Sequence, residues 1–170
     1  QADWHIEPKP GTDGALAVSL INYIIQNNLV DKDYVSNFTN GFIELKEHVK
    51  NKDPMWASKI TGIDEEDIKT LAHEIATTQP VGIRIGVALE RHHGGGQTIR
   101  AVTCIPALTG SWKYVGGGIT QFPVWEHPYK FDVICRPDLI PKGTRVVNAL
   151  QIGRALLGEN IEKDKPIMSM

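Results

Sequence analysis

Long runs of one kind are what this 170-residue sequence lacks. No Lys/Arg-rich stretch occurs and the formal net charge is −2, so the basic stripe of a duplex nucleic-acid binder is missing. No apolar run approaches the roughly 20 residues that a membrane helix needs, so no membrane contact is expected from this segment. The start, Gln1-Ala2-Asp3-Trp4-His5, has neither the cationic nor the apolar region of an export signal; any such signal would lie upstream of residue 1. Cysteine is scarce: Cys104 and Cys135 stand alone, with no CxxC pair to start a zinc ribbon or an iron–sulfur site. The bland reading of both is a small buried apolar residue.

What is present is an ordinary globular composition, 41% hydrophobic and 22% charged, enough for one domain over residues 1–170. A helix is predicted from Thr12 or Asp13 to about Asn27, with Leu16, Leu20 and Ile24 in one row and Val18, Ile21 and Ile25 widening it, a stripe broad enough for deep burial. Short helices follow over 31–60, one capped by Asp31 and stopped by Gly41. Asp64, followed by Glu65, Glu66 and Asp67, starts an amphipathic helix through Ile68, Leu71, Ala72 and Ile75, with Ile63 and Ile68 as its hydrophobic staple.

Residues 80–87 read as a buried strand, 90–96 as a Gly-rich loop, and 97–109 as a second apolar helix. Helix, strand, Gly-rich loop and helix form the repeating unit of a layered α/β/α domain with a small, mostly parallel sheet. Residues 110–143 carry little periodicity, yet Trp112, Tyr114, Phe122, Trp125, Tyr129 and Phe131 argue against disorder. A last helix is expected over 144–157, with Val147, Leu150 and Leu157 on its stripe. Lys165–Met170 starts like a strand and stops, which points to a piece of a longer polypeptide.

Three constellations could carry chemistry, the third, Leu108–Trp112 with Gly116–Ile119, being either a tightly packed glycine turn or a flexible surface loop. Gly11, Thr12 and Asp13 open a helix. Glycine there permits close approach to a ligand, the helix start presents free N–H groups to an anion, and the Asp13 carboxylate can accept from the double-donor edge of a guanine. An ordinary cap is the simpler alternative. The second constellation runs from Gly86 to Gly96, a loop at the carboxyl end of a strand, where open α/β sheets bind ligands. Ala88, Gly94, Gly95 and Gly96 let backbone come near something bulky; Arg91 could meet a phosphate or a pterin edge; His92 and His93 could donate hydrogen bonds or ligate a metal. The loop is neither a dinucleotide fingerprint nor a P-loop. Adjacent histidines in extended chain face opposite ways, so a shared metal is not expected. No acid/base pair stands out: Glu90, Asp132 and Asp138 are isolated, and no catalytic residue is assigned.

Three segments in order resemble the molybdopterin oxidoreductases of the dimethyl sulfoxide reductase family. They are Ala2–Ile6 leading into Pro10-Gly11-Thr12-Asp13-Gly14-Ala15-Leu16; Arg84 to Gly95; and Ile105–Trp112 with Gly116-Gly117-Gly118. The resemblance implies an internal part of a catalytic subunit that moves two electrons, often with oxygen-atom transfer, at molybdenum or tungsten held by two molybdopterin guanine dinucleotides. It implies that Gly11, Thr12 and Asp13 contact the guanine nucleotide. It implies that Gly86, Val87, Ala88, Arg91 and His92 approach a pterin. The metal's protein ligand and any 4Fe–4S cluster would be held outside this chain. The partners implied are the remainder of the catalytic subunit and electron-transfer subunits, with no nucleic acid; the isolated piece should be inactive. The family commonly has Gly at the place of Ala88. The alternative is a non-catalytic α/β module that binds a nucleotide or a protein.

Overall fold

A computed structural model describes residues 2–121, 129–158 and 167–169. They fall into two compact units, Gln1–Pro123 and Val124–Met170, each described by itself.

The first unit is built on two 14-residue helices, α1 (Asp13–Gln26) and α6 (Gly95–Leu108). Between them come α2 (Lys32–Phe38), α3 (Phe42–Val49), α4 (Pro54–Thr61) and α5 (Glu65–Thr77). The starts of these helices follow side-chain chemistry. Asp31 accepts from Tyr34 N at 2.9 Å, Asp53 from Trp56 N at 2.8 Å and Asp64 from Glu66 N at 2.8 Å, each satisfying an orphan N–H of a first turn. Thr39 rather than Gly41 closes α2; Gly41 instead opens α3 at φ 82°. Ile21, Ile24 and Ile68 are fully enclosed, and Leu20, Ile25, Val35, Val49, Ile105 and Leu108 are among the residues that join them in the core around α1. Asn22, also buried, donates to Val49 O at 2.8 Å and so satisfies a carbonyl at the end of α3.

Strand β1 (Gly82–Arg84) pairs in parallel with β2 (Gly118–Thr120), Gly82 opposite Gly118 and Arg84 opposite Thr120. The order β1, α6, β2 is therefore a parallel crossover, and the fold is mixed α/β with a small parallel sheet. The strand expected over 80–87 is shorter and less buried than its sequence implies. Gly82 and Arg84 are exposed and only Ile85, beyond the strand, is buried. Pro80 has no N–H to give a ladder, and within the described residues β1 is paired on one edge alone.

The second unit holds α7 (Phe131–Cys135), β3 (Arg145–Val147), α8 (Ile152–Leu156) and β4 (Ile167–Ser169), with β3 parallel to β4. The continuous helix expected over 144–157 does not form. Two β-branched residues, Val146 and Val147, are recruited by a distant strand. Asn148 accepts from Leu150 N at 2.9 Å, a local turn that competes with helix. The expected stripe breaks accordingly: Val147 is buried, whereas Leu150 and Leu157 are exposed. The strand expected near the end is present as β4. Phe122, Trp125, Lys165, Pro166 and Met170 lie outside the described residues.

Candidate functional site: two glycine-opened helix ends

α1 and α6 lie side by side and point the same way. At one end a Cβ built on Gly14 would lie 2.9 Å from Thr98 Oγ1. At the other, Asp31 N donates to Leu108 O at 2.8 Å. Both helices therefore start together, at Gly11–Gly14 and at Gly94–Thr98.

Neither start is capped by a side chain. Thr12 occupies the cap position of α1, but its hydroxyl donates to Lys9 O at 2.6 Å instead. Asp13 is the first helical residue and is half-buried; among the described residues no hydrogen bond or ion pair engages its carboxylate. The start of α6 is Gly94, at φ 75°. Each helix start carries about half a positive charge from its aligned peptides. Two adjacent and parallel starts repel one another, and an anion placed across them would remove that repulsion.

The loop between β1 and α6 lies against this mouth. A Cβ on Gly11 would sit 3.6 Å from Nδ1 of His92, so the two constellations found in sequence meet through these two residues. Gly86, Val87, Ala88, Arg91 and His92 are all exposed. Around Gly86, Gly94 and Gly96 an added Cβ would meet nothing within 4 Å, so backbone there faces open space that a ligand could enter. Gly95 is the opposite case, because its Cβ would overlap the backbone of Leu89 and Glu90. That contact presses the 3-10 turn Leu89–Arg91 onto the first turn of α6. Glu90, isolated in sequence, accepts from Gln121 Nε2 at 3.0 Å, and Ile85 N donates to Thr120 O at 2.8 Å; both tie the loop to the end of β2. Arg91 makes no ion pair among the described residues.

Gly95, expected to open backbone to a ligand, is instead buried against the backbone of Leu89 and Glu90 and serves packing. Sequence reasoning gave no packing role to Gly14 or Thr98, which look like routine helix sequence and matter because each stands opposite the other. It also missed Gln79. That side chain donates to Thr109 O at 3.2 Å and accepts from Ser111 Oγ at 3.0 Å. These bonds fix the approach to β1 onto the far end of α6.

The Cys readings hold in part. Cys104 is half-buried, donates to Arg100 O at 3.2 Å, and burial pushes its thiol pKa up. Cys135 is exposed rather than buried, at the end of the short helix α7, and both are free thiols. Among the described residues no three His, Cys, Asp or Glu side chains cluster as metal ligands, and no helix is long and apolar enough to cross a membrane.

No protein-family model matches the chain. Individual proteins match well. The "Probable oxidoreductase YoaE" of Bacillus subtilis (strain 168) is 42% identical over 170 residues, covering 99% of this chain and 24% of the relative. Dimethyl sulfoxide reductase DmsA of Haemophilus influenzae is 35% identical over 176 residues, covering 85% and 22%. The solved acetylene hydratase from Pelobacter acetylenicus superposes at TM-score 0.61 with 36% identity, covering 65% of this chain and 15% of that one. This stretch of chain belongs to the dimethyl sulfoxide reductase family of molybdopterin oxidoreductases. It spans about a quarter of the length of the curated relatives named. The match to acetylene hydratase carries the α/β fold described above.

Proposed function

We propose that the chain is part of the catalytic subunit of a molybdenum or tungsten oxidoreductase and supplies loops that hold a molybdopterin guanine dinucleotide. Residues 1–170 would serve there as one α/β domain, with the remainder of the subunit and electron-transfer subunits as partners. When bound, the metal–pterin group supplies two-electron redox chemistry, often with oxygen-atom transfer.

The observation that carries this reading is the meeting of Gly11 with His92 at the joint start of α1 and α6. A dinucleotide brings a pyrophosphate, a guanine and a flat ring system. The uncapped N–H groups of the two helix starts suit the pyrophosphate. The free Asp13 carboxylate suits the paired donors of guanine. The open backbone of Gly86, Val87 and Ala88 suits a ring that must approach closely, and the exposed Arg91 and His92 can donate to its polar edge. The isolated chain would bind the group weakly and be inactive, because an open half-site lacks the surfaces that offset the costs of association.

The test is anaerobic expression of the complete gene product, with metal and released pterin and guanine nucleotide measured. Wild-type protein should contain all three, and Asp13→Ala should lose guanine-nucleotide content. Asp13 caps nothing, so the variant's stability should move by less than the ~1 kcal/mol of a lost cap. Absence of both metal and pterin from the wild-type protein would overturn the reading. Unchanged nucleotide content in the variant would remove Asp13 from the site.

A further inference from the structure

At the other end of α1, about 18 Å along the helix axis from Asp13, a hollow of ≈530 Å³ opens between the end of α1, α2 and the start of α3. Its volume lies within the about 300–1,000 Å³ typical of small-molecule sites. Ile25 and Val35, both core residues, line it with the half-buried Val30 and Phe42. Lys32 and Lys46 also line it, and neither forms an ion pair among the described residues. One carboxylate, Glu44, shares the lining; two lysines less one glutamate leave a net charge of +1. Outside the lining, Asp31 at the start of α2 is paired with Lys113, and Asp33 lies 3.9 Å from the same ammonium group.

We infer that this hollow binds a small amphipathic carboxylate, its hydrocarbon body against Ile25, Val30, Val35 and Phe42 and its charge beside Lys32 and Lys46. An apolar body removes lining surface from water. A carboxylate gives the two ammonium groups a charge-assisted partner that the protein does not provide. A neutral apolar molecule would gain only the first of these.

The test uses octanoate as the probe and octanol as its neutral counterpart, titrated into the full chain carrying labelled Ile, Leu and Val methyls. The methyl resonances of Ile25, Val30, Val35 and Ile43 should shift together and saturate at millimolar octanoate, while octanol should bind about tenfold more weakly. K32E/K46E should weaken octanoate by about tenfold or more. Ser36→Trp, at an exposed position in the lining, should block it. Methyl signals away from the hollow report whether each variant is folded. The inference is overturned if the four residues do not respond, if octanol binds as well as octanoate, or if folded K32E/K46E binds octanoate like the wild type.

Discussion

Gly14 of α1 stands so close to Thr98 of α6 that a Cβ on the glycine would lie 2.9 Å from the threonine Oγ1. The glycine is what lets two like-poled helix starts approach. Gly14→Ala should therefore cost about 1–3 kcal/mol as overpacking, although alanine is the better helix former. Thr98→Ala should recover part of that loss. Urea unfolding of both single variants and the double variant gives the coupling; simple additivity would show that this contact does not set the spacing.

At the opposite end of these helices, Asp31 ties the start of α2 to the turn that follows α6. Its Oδ1 caps α2, while Oδ2 takes a hydrogen bond from Lys113 Nζ, and that bond, with help from the Tyr34 N–H, holds the carboxyl below its usual pKa. A depressed carboxylate contributes stability above its unfolded pKa, about 3.9, and that contribution is lost as pH falls through the lower folded value. Asp31→Asn keeps an acceptor for the cap and removes the charge. The melting-temperature gap between wild type and Asp31→Asn should be constant from about pH 5 to 7 and close below about pH 4. A gap that persists unchanged into acid would show that the ion pair contributes nothing.

The core around α1 sets a third expectation. Ile24 is wholly enclosed while Ile43 is 79% exposed. Ile24→Ala should cost about 2–5 kcal/mol through lost transfer energy and a residual cavity, and Ile43→Ala should stay within about 0.5 kcal/mol. Denaturant midpoints at unchanged m-value test both. Equal costs would mean that the exposed side chain is buried in the folded protein.

Where the sequence was legible, the physics was local. The Asp31 and Asp64 caps and the stripe of α1 are set by residues within one or two turns, and the structure reproduces them; Ile63 and Ile68, expected as a staple, are both buried in the core. The helix expected over 144–157 failed because its first residues pair with a strand some twenty positions away. Nothing within the window announces that partner. The site divides in the same way. Gly11–Asp13 and Gly86–His92 are visible as glycine-opened segments beside polar groups. That they meet through His92, and that Gly14 and Gly95 set the spacing, depends on α1 and α6 lying parallel, a relation between segments some eighty residues apart.

Two glycines of the candidate loop separate ligand space from packing. A Cβ on Gly86 meets nothing within 4 Å, whereas one on Gly95 would lie 2.7 Å from Glu90 Cα. Backbone cannot move aside as a side-chain tip can. Gly95→Ala should therefore displace the 3-10 turn at 89–91 and cost about 1–3 kcal/mol. Gly86→Val should leave stability within about 0.5 kcal/mol yet, on the proposed function, lower the pterin content of the complete protein, because its branched side chain would occupy the space proposed for the ring. Thermal melts and pterin release, read together on both variants, decide the matter. Full pterin content in a stable Gly86→Val protein would mean that the open backbone at residue 86 faces only solvent.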